Sequence, residues 1–158
     1  MAKVKPIPEG SHSITAGLVV RNARKAIEFY KTALGATELD VMTGPDGTVM
    51  HAELKIGDSK FYLGEESPEM DAFSPQKLGG SPVSLNIYTE DSDAMFKRAI
   101  AAGATVKMPL TDMFWGDRYG KILDPFGHAW GIATHKEDVS KSEMEKRMKE
   151  WMAQTAKK

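Results

Sequence analysis

Two neighbouring polar side chains on a predicted strand are the first candidates for chemistry in this chain. His51 and Glu53 lie two positions apart, so in an extended strand both project from the same face. An imidazole beside a carboxylate can take a proton from a substrate, or can supply two ligands to a metal ion. Two donors do not complete a metal site, and a solvated or hydrogen-bonded pair is the plainer interpretation. His51 and Glu53 are therefore weak candidates for a catalytic base.

A second candidate group lies in the aromatic segment 114–119, which reads F-W-G-D-R-Y. Trp115 and Tyr119 can stack on a planar ligand, and Arg118 can bind a carboxylate or phosphate through its planar guanidinium. The alternative is that Trp115 packs in the core and that Arg118 pairs with the adjacent Asp117. The remaining histidines, His12, His128 and His135, lie at predicted turns or strand ends, where we expect them to face solvent.

Composition excludes several classes of protein. The 158 residues include no cysteine, which excludes disulfides, thiolate nucleophiles and cysteine-based zinc sites. The formal net charge of −1 argues against nucleic-acid binding. The sequence has neither an apolar run long enough for a membrane span nor an apolar signal-peptide core, so we expect a cytoplasmic protein. It also lacks the glycine-rich nucleotide motifs, the GxSxG elbow and the HExxH zinc motif.

The order of predicted elements is the same in both halves of the chain. In the first half, a strand at 14–20 leads into a helix from about Ala23 to Leu34, with Asn22 as its N-cap and Gly35 just after it. Three strands follow, at 37–43, 48–55 and 59–64. In the second half, a strand at 83–89 and a helix ending at Gly103 precede strands near 104–109, 117–123 and 129–135. A-L-G-A-T at 33–37 is echoed by A-A-G-A-T at 101–105.

The predicted fold class is therefore α+β, with two β-α-β-β-β modules in a single domain spanning 1–158. The first module covers 12–66, the Pro/Gly-rich segment 67–82 is the linker, and the second module covers 83–136. The tail 138–158 predicts an amphipathic helix that begins with a capping box at Ser140 and Glu143. Its apolar stripe packs on its own domain or on another subunit, and consists of Met144, Met148, Trp151 and Met152.

Two segments carry a family resemblance. VVRNARKAIEFYKTALGA at 19–36 and FWGDRYGKILDPFGHAW at 114–130, together with the doubled element order, resemble the vicinal oxygen chelate (glyoxalase/bleomycin-resistance) superfamily, in particular its PhnB-like branch. The resemblance extends over about 12–136. It implies two modules whose sheets curl around a shared cavity, commonly in a homodimer.

Enzymes of this superfamily bind a divalent metal at four positions on the first and last strands of the modules. By resemblance these positions fall at Thr15, Leu63, Ser84 and Gly131. None of the four carries an imidazole or a carboxylate, the donors that divalent ions require. The sequence departs from the metalloenzyme pattern, and we expect no metal and no other cofactor.

Strand alternation predicts the lining of the cavity. We expect Met50, Ala52 and Leu54 to face the helix, which turns His51 and Glu53 toward the cavity. A ligand site needs apolar walls and a few polar anchors. The predicted ligand-binding residues are Thr15, Phe61, Leu63, Ser84, Asn86, Tyr88, Trp115, Arg118 and Tyr119.

These features favour a metal-independent small-molecule binding protein that sequesters an aromatic or antibiotic-like metabolite. The first alternative is a lyase or isomerase of the glyoxalase I or epimerase type, acting on a carbonyl substrate with His51 or Glu53 as base. The second is an interaction protein that uses the C-terminal helix. We expect a small-molecule ligand and a homodimer, and neither nucleic-acid nor membrane partners.

Overall fold

The computed structural model describes residues 4–155, and for Thr155 only the backbone. The first module consists of β1 (Ala16–Val20), α1 (Ala23–Leu34), β2 (Thr37–Thr43), β3 (Val49–Ile56) and β4 (Ser59–Glu65). The linker holds a 3-10 turn at Pro68–Met70 and the short helix α2 (Pro75–Leu78). The second module consists of β5 (Ser84–Tyr88), α3 (Ser92–Ala101), β6 (Thr105–Asp112), β7 (Asp117–Leu123) and β8 (Ala129–His135). Helix α4 (Lys141–Thr155) follows.

Each module forms its own four-stranded mixed sheet, which confirms the predicted α+β architecture. The strand orders are β1-β4-β3-β2 and β5-β8-β7-β6. In each sheet the first strand runs parallel to the last, and the other neighbours are antiparallel. The parallel pairing requires a crossover, which α1 and α3 supply. β1 and β5 are thus edge strands of their sheets.

The ends of the helices follow from their capping residues. The Asn22 side chain accepts a hydrogen bond from the backbone N–H of Lys25 at 3.2 Å, and Gly35 closes α1 in the left-handed conformation with φ of 69°. Glu65 at the end of β4 accepts the N–H groups of Asn22 and Ala23 at 2.6 and 2.7 Å. This carboxylate satisfies two of the donors that the first turn of a helix leaves free. The Asp91 side chain caps α3 as Asn22 caps α1, by accepting a hydrogen bond from the backbone N–H of Ala94.

A buried carboxylate joins the two modules. Helix α1 packs against α3, and the core between the sheets is rich in aromatic rings. At its centre Asp124, only 3% exposed, accepts hydrogen bonds from the Tyr30 hydroxyl at 2.7 Å and the Trp130 indole N–H at 2.8 Å. Its other oxygen accepts the N–H groups of Phe126 and His128, both at 2.9 Å. One side chain therefore fixes the 124–128 turn and ties it to a helix of the other module.

Helix α4 begins as predicted, with the N–H of Glu143 donating to the Ser140 hydroxyl at 3.3 Å. None of residues 141–154 is buried, and the Trp151 ring lies 5.6 Å from that of Phe114. Arg147 binds the Glu137 carboxylate through both terminal nitrogens, each at 2.8 Å. The last three residues of the predicted helix, 156–158, lie outside the described residues. No helix in the described part of the chain is long and apolar enough to cross a membrane.

Replacing Tyr30 by Phe tests the inter-module hydrogen bond. The variant leaves the buried Asp124 carboxylate short of one donor, and a hydrogen bond to a charged group contributes about 1.5–3 kcal/mol. We expect the free energy of unfolding, measured by urea denaturation, to fall by this amount. Tyr62→Phe on the exposed side of β4 is the matched control, expected to change it by less than about 0.5 kcal/mol. Equal losses in the two variants would contradict the assigned role of Asp124.

Candidate functional site

The helices cover one face of each sheet and leave the other face, called here the open face, partly exposed. On the second sheet, Asn86 and Tyr88 of β5 lie across from Gly131 and Ala133 of β8. On the other side of β8, Lys121 and Tyr119 of β7 pair with the same two residues, and Asp117 pairs with His135. Because the central strand carries only a hydrogen and a methyl group here, the long side chains of its neighbours lean across it.

Gly131 provides the space for one of these crossings. A Cβ atom at this position would collide with Asn86 Oδ1 and would lie 2.8 Å from the Tyr119 hydroxyl. In the actual strand the Tyr119 hydroxyl donates to Asn86 Oδ1 at 3.3 Å, directly over the glycine. In a metalloenzyme of the superfamily that the sequence resembles, this position would carry a metal ligand. Here the glycine lies beneath a hydrogen bond between two side chains.

Asp117 is the centre of the open face of the second sheet. It is 5% exposed, and its Oδ2 accepts the Tyr88 hydroxyl at 2.8 Å and the Trp115 indole N–H at 3.0 Å. Its Oδ1 lies 2.7 Å from His135 Nδ1. The Trp115 ring in turn contacts Tyr119, with 5.8 Å between centroids. We call Asn86, Tyr88, Trp115, Asp117, Tyr119 and His135 the Asp117 cluster.

The electrostatics of the cluster follow from these contacts. Burial by itself would raise the pKa of the Asp117 carboxyl, but hydrogen bonds from His135, Tyr88 and Trp115 outweigh it and hold the pKa below its ordinary value. The hydrogen bond that His135 donates to Asp117, followed by the one that its Nε2 donates to Asp138 at 3.0 Å, raises the pKa of His135. The hydrogen bond to Asp117 also raises the pKa of Tyr88. The favoured state is an imidazolium held between two carboxylates, beside a neutral tyrosine.

The structure brings together four of the predicted ligand-binding residues: Asn86, Tyr88, Trp115 and Tyr119. The two residues that organise them, Asp117 and His135, were missed. The sequence indicates Asp117 only as a partner of Arg118. His135 is exposed, as predicted, but its Nδ1 also lies against Asp117. The signal was present, because pairing β7 with β8 outward from the 124–128 turn places Asp117 opposite His135.

The structure corrects the predicted ligand-binding role of Arg118, because its side chain points away from the open face. It projects toward α3, where its guanidinium binds both oxygens of Asp93 at 2.6 and 2.7 Å and Asp112 at 3.1 Å. Strand alternation requires this, because Arg118 lies between Asp117 and Tyr119 on β7. With two carboxylates already bound, Arg118 is not available to orient an anionic ligand on the open face.

The structure also corrects the predicted placement of Phe61 and Leu63 in the ligand site. Both are buried on the helix side, and the Phe61 ring packs 5.6 Å from Tyr30 and 5.9 Å from Trp130. Ala16 pairs with Phe61 and Gly17 with Tyr62, so the open-face residue that corresponds to Gly131 is Tyr62. The predicted pair of equivalent positions, Leu63 and Gly131, is 68 residues apart, whereas the observed pair, Tyr62 and Gly131, is 69 apart. That single residue inverts the predicted face of β4.

His51 and Glu53 do lie on the open face of the first sheet. The His51 Nε2 atom is 3.8 Å from Glu53 Oε1, and its ring is 5.0 Å from that of Tyr62. Met50, expected on the helix side, is instead 61% exposed, and Val49 takes the buried position. A register irregularity between β2 and β3 near Thr43 accounts for the change of phase.

The positions of a metal site do not fit a metal. Thr15 lies half-buried just before β1, Ser84 is exposed at the start of β5, and the last-strand positions hold Tyr62 and Gly131. These offer hydroxyls and no imidazole or carboxylate. Within residues 4–155 no group of three or more His, Asp or Glu side chains is placed to hold a metal ion.

Comparison with known proteins establishes the family. A model of the glyoxalase/bleomycin resistance protein/dioxygenase superfamily matches residues 12–132. The chain belongs to this superfamily. An uncharacterized protein of Mycobacterium tuberculosis is 41% identical over 139 residues, covering 86% of this chain and 82% of that protein.

Solved structures share the fold. The X-ray structure of an Arabidopsis thaliana gene product has 29% identity and a TM-score of 0.63, covering 78% of this chain and 98% of that one. A PhnB protein from Bacillus cereus, with 18% identity and a TM-score of 0.60, covers 78% and 99% respectively. The predicted membership of the superfamily is confirmed, with PhnB-like structures among the neighbours.

The His135 contacts predict a pH-dependent contribution to stability. A raised pKa in the folded state means that this contribution is complete below the unfolded histidine pKa of about 6.5 and is lost as the pH rises through the folded value. The free-energy difference between the wild type and His135→Asn, measured by urea denaturation, should be larger at about pH 5.5 than at about pH 9. Asp117 stays ionised throughout this range because its pKa is lowered.

His12→Asn, a substitution of an exposed histidine before β1, is the control, expected to show no such trend. A wild-type advantage over His135→Asn that is the same at both pH values would contradict the charged state assigned to His135.

Proposed function

We propose that this protein binds a planar aromatic small molecule on the open face of the second sheet, without the help of a metal ion. The observation that supports this is the Asp117 carboxylate, whose hydrogen bonds hold Tyr88 and Trp115 in fixed orientations beside Tyr119. Rings that are already immobilised lose little entropy when a ligand stacks on them. Tyr88 is 67% exposed, so its ring is accessible to a ligand.

The hydrogen bonding of the cluster favours binding over proton transfer. Asp117 already accepts three hydrogen bonds, and both ring nitrogens of His135 face carboxylate oxygens. A general base needs a free lone pair within reach of the substrate proton. The protonated state of His135 has none, and the lowered pKa of Asp117 makes it a weak base. The cluster is suited to orienting rings.

Polar groups beside the rings would select the ligand. The Asn86 amide and the Lys121 ammonium flank Gly131 on the same face. They can contact carbonyl or hydroxyl groups at the edge of a stacked ring system. An aromatic, antibiotic-like metabolite offers this combination, which accords with the bleomycin-resistance branch of the superfamily. In this proposal the metabolite is sequestered in the cytoplasm and is not transformed.

A second copy of the chain would complete the site. The open faces expose apolar side chains, including Met42 at 56% and Met50 at 61%. Large exposed apolar surface on a sheet is typical of an interface. A homodimer in which the open faces approach each other would enclose the ligand between them.

A thermal-shift screen of planar aromatic compounds in the presence of EDTA tests the proposal. Compounds that raise the melting temperature would then be titrated by calorimetry. Because a stacking contact contributes up to about 1.5 kcal/mol, Tyr88→Ala and Trp115→Phe should each weaken binding by up to about tenfold. Tyr62→Ala on the open face of the first sheet is the matched control and should have a smaller effect. Unchanged affinity in both cluster variants would contradict the proposal.

The second candidate function is a lyase or isomerase acting on a carbonyl substrate. It is favoured by His51 and Glu53, which share the open face of the first sheet and lie 3.8 Å apart. Equilibrium dialysis with Ni²⁺, Zn²⁺ and Mn²⁺, followed by an assay of turnover on a hemithioacetal, distinguishes the two candidates. Turnover that is lost in His51→Ala would favour the enzyme and would overturn metal-independent binding.

A further inference from the structure

A cleft lies between the two modules and is bordered mainly by residues on the helix side of the sheets. Its volume is about 540 Å³, within the range of small-molecule sites. It lies between the end of α1, the β3–β4 hairpin, the edge strand β5 and α3. Most of its wall is apolar and includes Leu34, Ile56, Phe61, Ile87, Met95 and Trp130.

Two cationic side chains reach this cleft. Lys60 comes from the β3–β4 hairpin and Arg98 from α3, so they approach from different modules. Lys60 makes one long contact, 3.5 Å to the backbone carbonyl of Glu9. Arg98 has no ion pair or side-chain hydrogen bond within the part of the chain that the structure describes. By contrast, each of three other arginines binds a carboxylate: Arg21, Arg118 and Arg147.

The remaining polar groups of the cleft do not cancel this charge. Asp58 at the hairpin is its one carboxylate, and it accepts a hydrogen bond from the neighbouring Ser59 hydroxyl at 2.8 Å. Residues 85–89 along the cleft belong to β5 or follow it, and β5 is an edge strand. Every second residue of such a strand directs its N–H and C=O away from the sheet. Backbone donors are thus available beside the two cations.

We propose that this cleft is a second ligand site, specific for an amphipathic monoanion: an aliphatic or aromatic body with one carboxylate or sulfonate group. The apolar body would lie against Ile87, Met95 and Trp130, and the anionic group would bind Arg98 and Lys60 at the mouth. Asn86 and Tyr88 of β5 border both sites, since they also line the cleft, but their side chains are hydrogen-bonded to Tyr119 and Asp117 on the open face. Trp115, Asp117, Tyr119 and His135 of the Asp117 cluster do not line the cleft.

Fluorescence titration with 1-anilinonaphthalene-8-sulfonate, an aromatic monoanion, tests the inference. Decanoate, decanol and decylammonium would then compete for the bound probe. We expect decanoate to displace it most effectively and decylammonium least. Since an exposed charge-assisted hydrogen bond is screened by water, Arg98→Gln should weaken the binding of the probe and of decanoate by about three- to tenfold. The affinity for decanol should not change.

Two further variants locate the probe. Lys97→Gln removes an exposed cation next to Arg98 on the same helix but outside the cleft, and should leave both affinities unchanged. Ile87→Trp should block the cleft and abolish the fluorescence increase. If that variant fails to fold, Lys60→Gln replaces it and should weaken the binding of the probe and of decanoate. Trp115→Phe distinguishes this site from the proposed function, because Trp115 does not line the cleft and its replacement should affect only ligands of the open face.

Equal competition by the three decyl compounds would overturn the inference, because it would remove the anion specificity. Equal weakening by Lys97→Gln and Arg98→Gln would do so as well, since the effect would then reflect overall charge. Loss of probe binding in Trp115→Phe, with Arg98→Gln unaffected, would place the probe on the open face instead.

Discussion

The arrangement of the two modules depends on one buried carboxylate. Asp124 accepts four hydrogen bonds, two from the turn that it begins and two from the aromatic side chains Tyr30 and Trp130. A buried charge is tolerated only where such donors satisfy it, so the turn, β8 and α1 must all be in place together. Because Tyr30 belongs to the first module, the same constraint sets the relation between the two sheets. The inter-module cleft borders this contact, because Trp130 both donates to Asp124 and lines the cleft.

The two halves share a topology but have different open faces. In the second sheet, Gly131 and Ala133 on the central strand leave room for Tyr119 and Tyr88 to lean across it. In the first sheet, Tyr62 occupies the position that corresponds to Gly131, and its ring contacts His51 instead. The second sheet therefore presents fixed aromatic rings around a carboxylate, whereas the first presents an imidazole and a carboxylate that are too far apart to hydrogen-bond. A duplicated fold can in this way carry two surfaces of different chemistry.

Part of the site could be predicted from strand alternation alone. Asn86, Tyr88 and Tyr119 were placed on one face correctly because β5 and β7 are regular and their apolar residues alternate cleanly. Phe61, Leu63 and Met50 were not, because one residue of offset or one irregularity in pairing reverses the face of a strand. Arg118 was misplaced for a different reason. Its residue type suggested anion binding, while its neighbours on α3 and β6 determined its partners.

The helices and strands of both modules, their repeated order, the caps of α1 and the lack of metal ligands at the superfamily positions could all be predicted from the sequence. These are local properties, set by periodicity, turn residues and side-chain chemistry. The contacts of Asp117 with Tyr88, Trp115 and His135, and the placement of Lys60 and Arg98 along one cleft, could be seen only in the folded protein. Such contacts join residues far apart in the chain, and their geometry depends on sheet register and on how the modules pack.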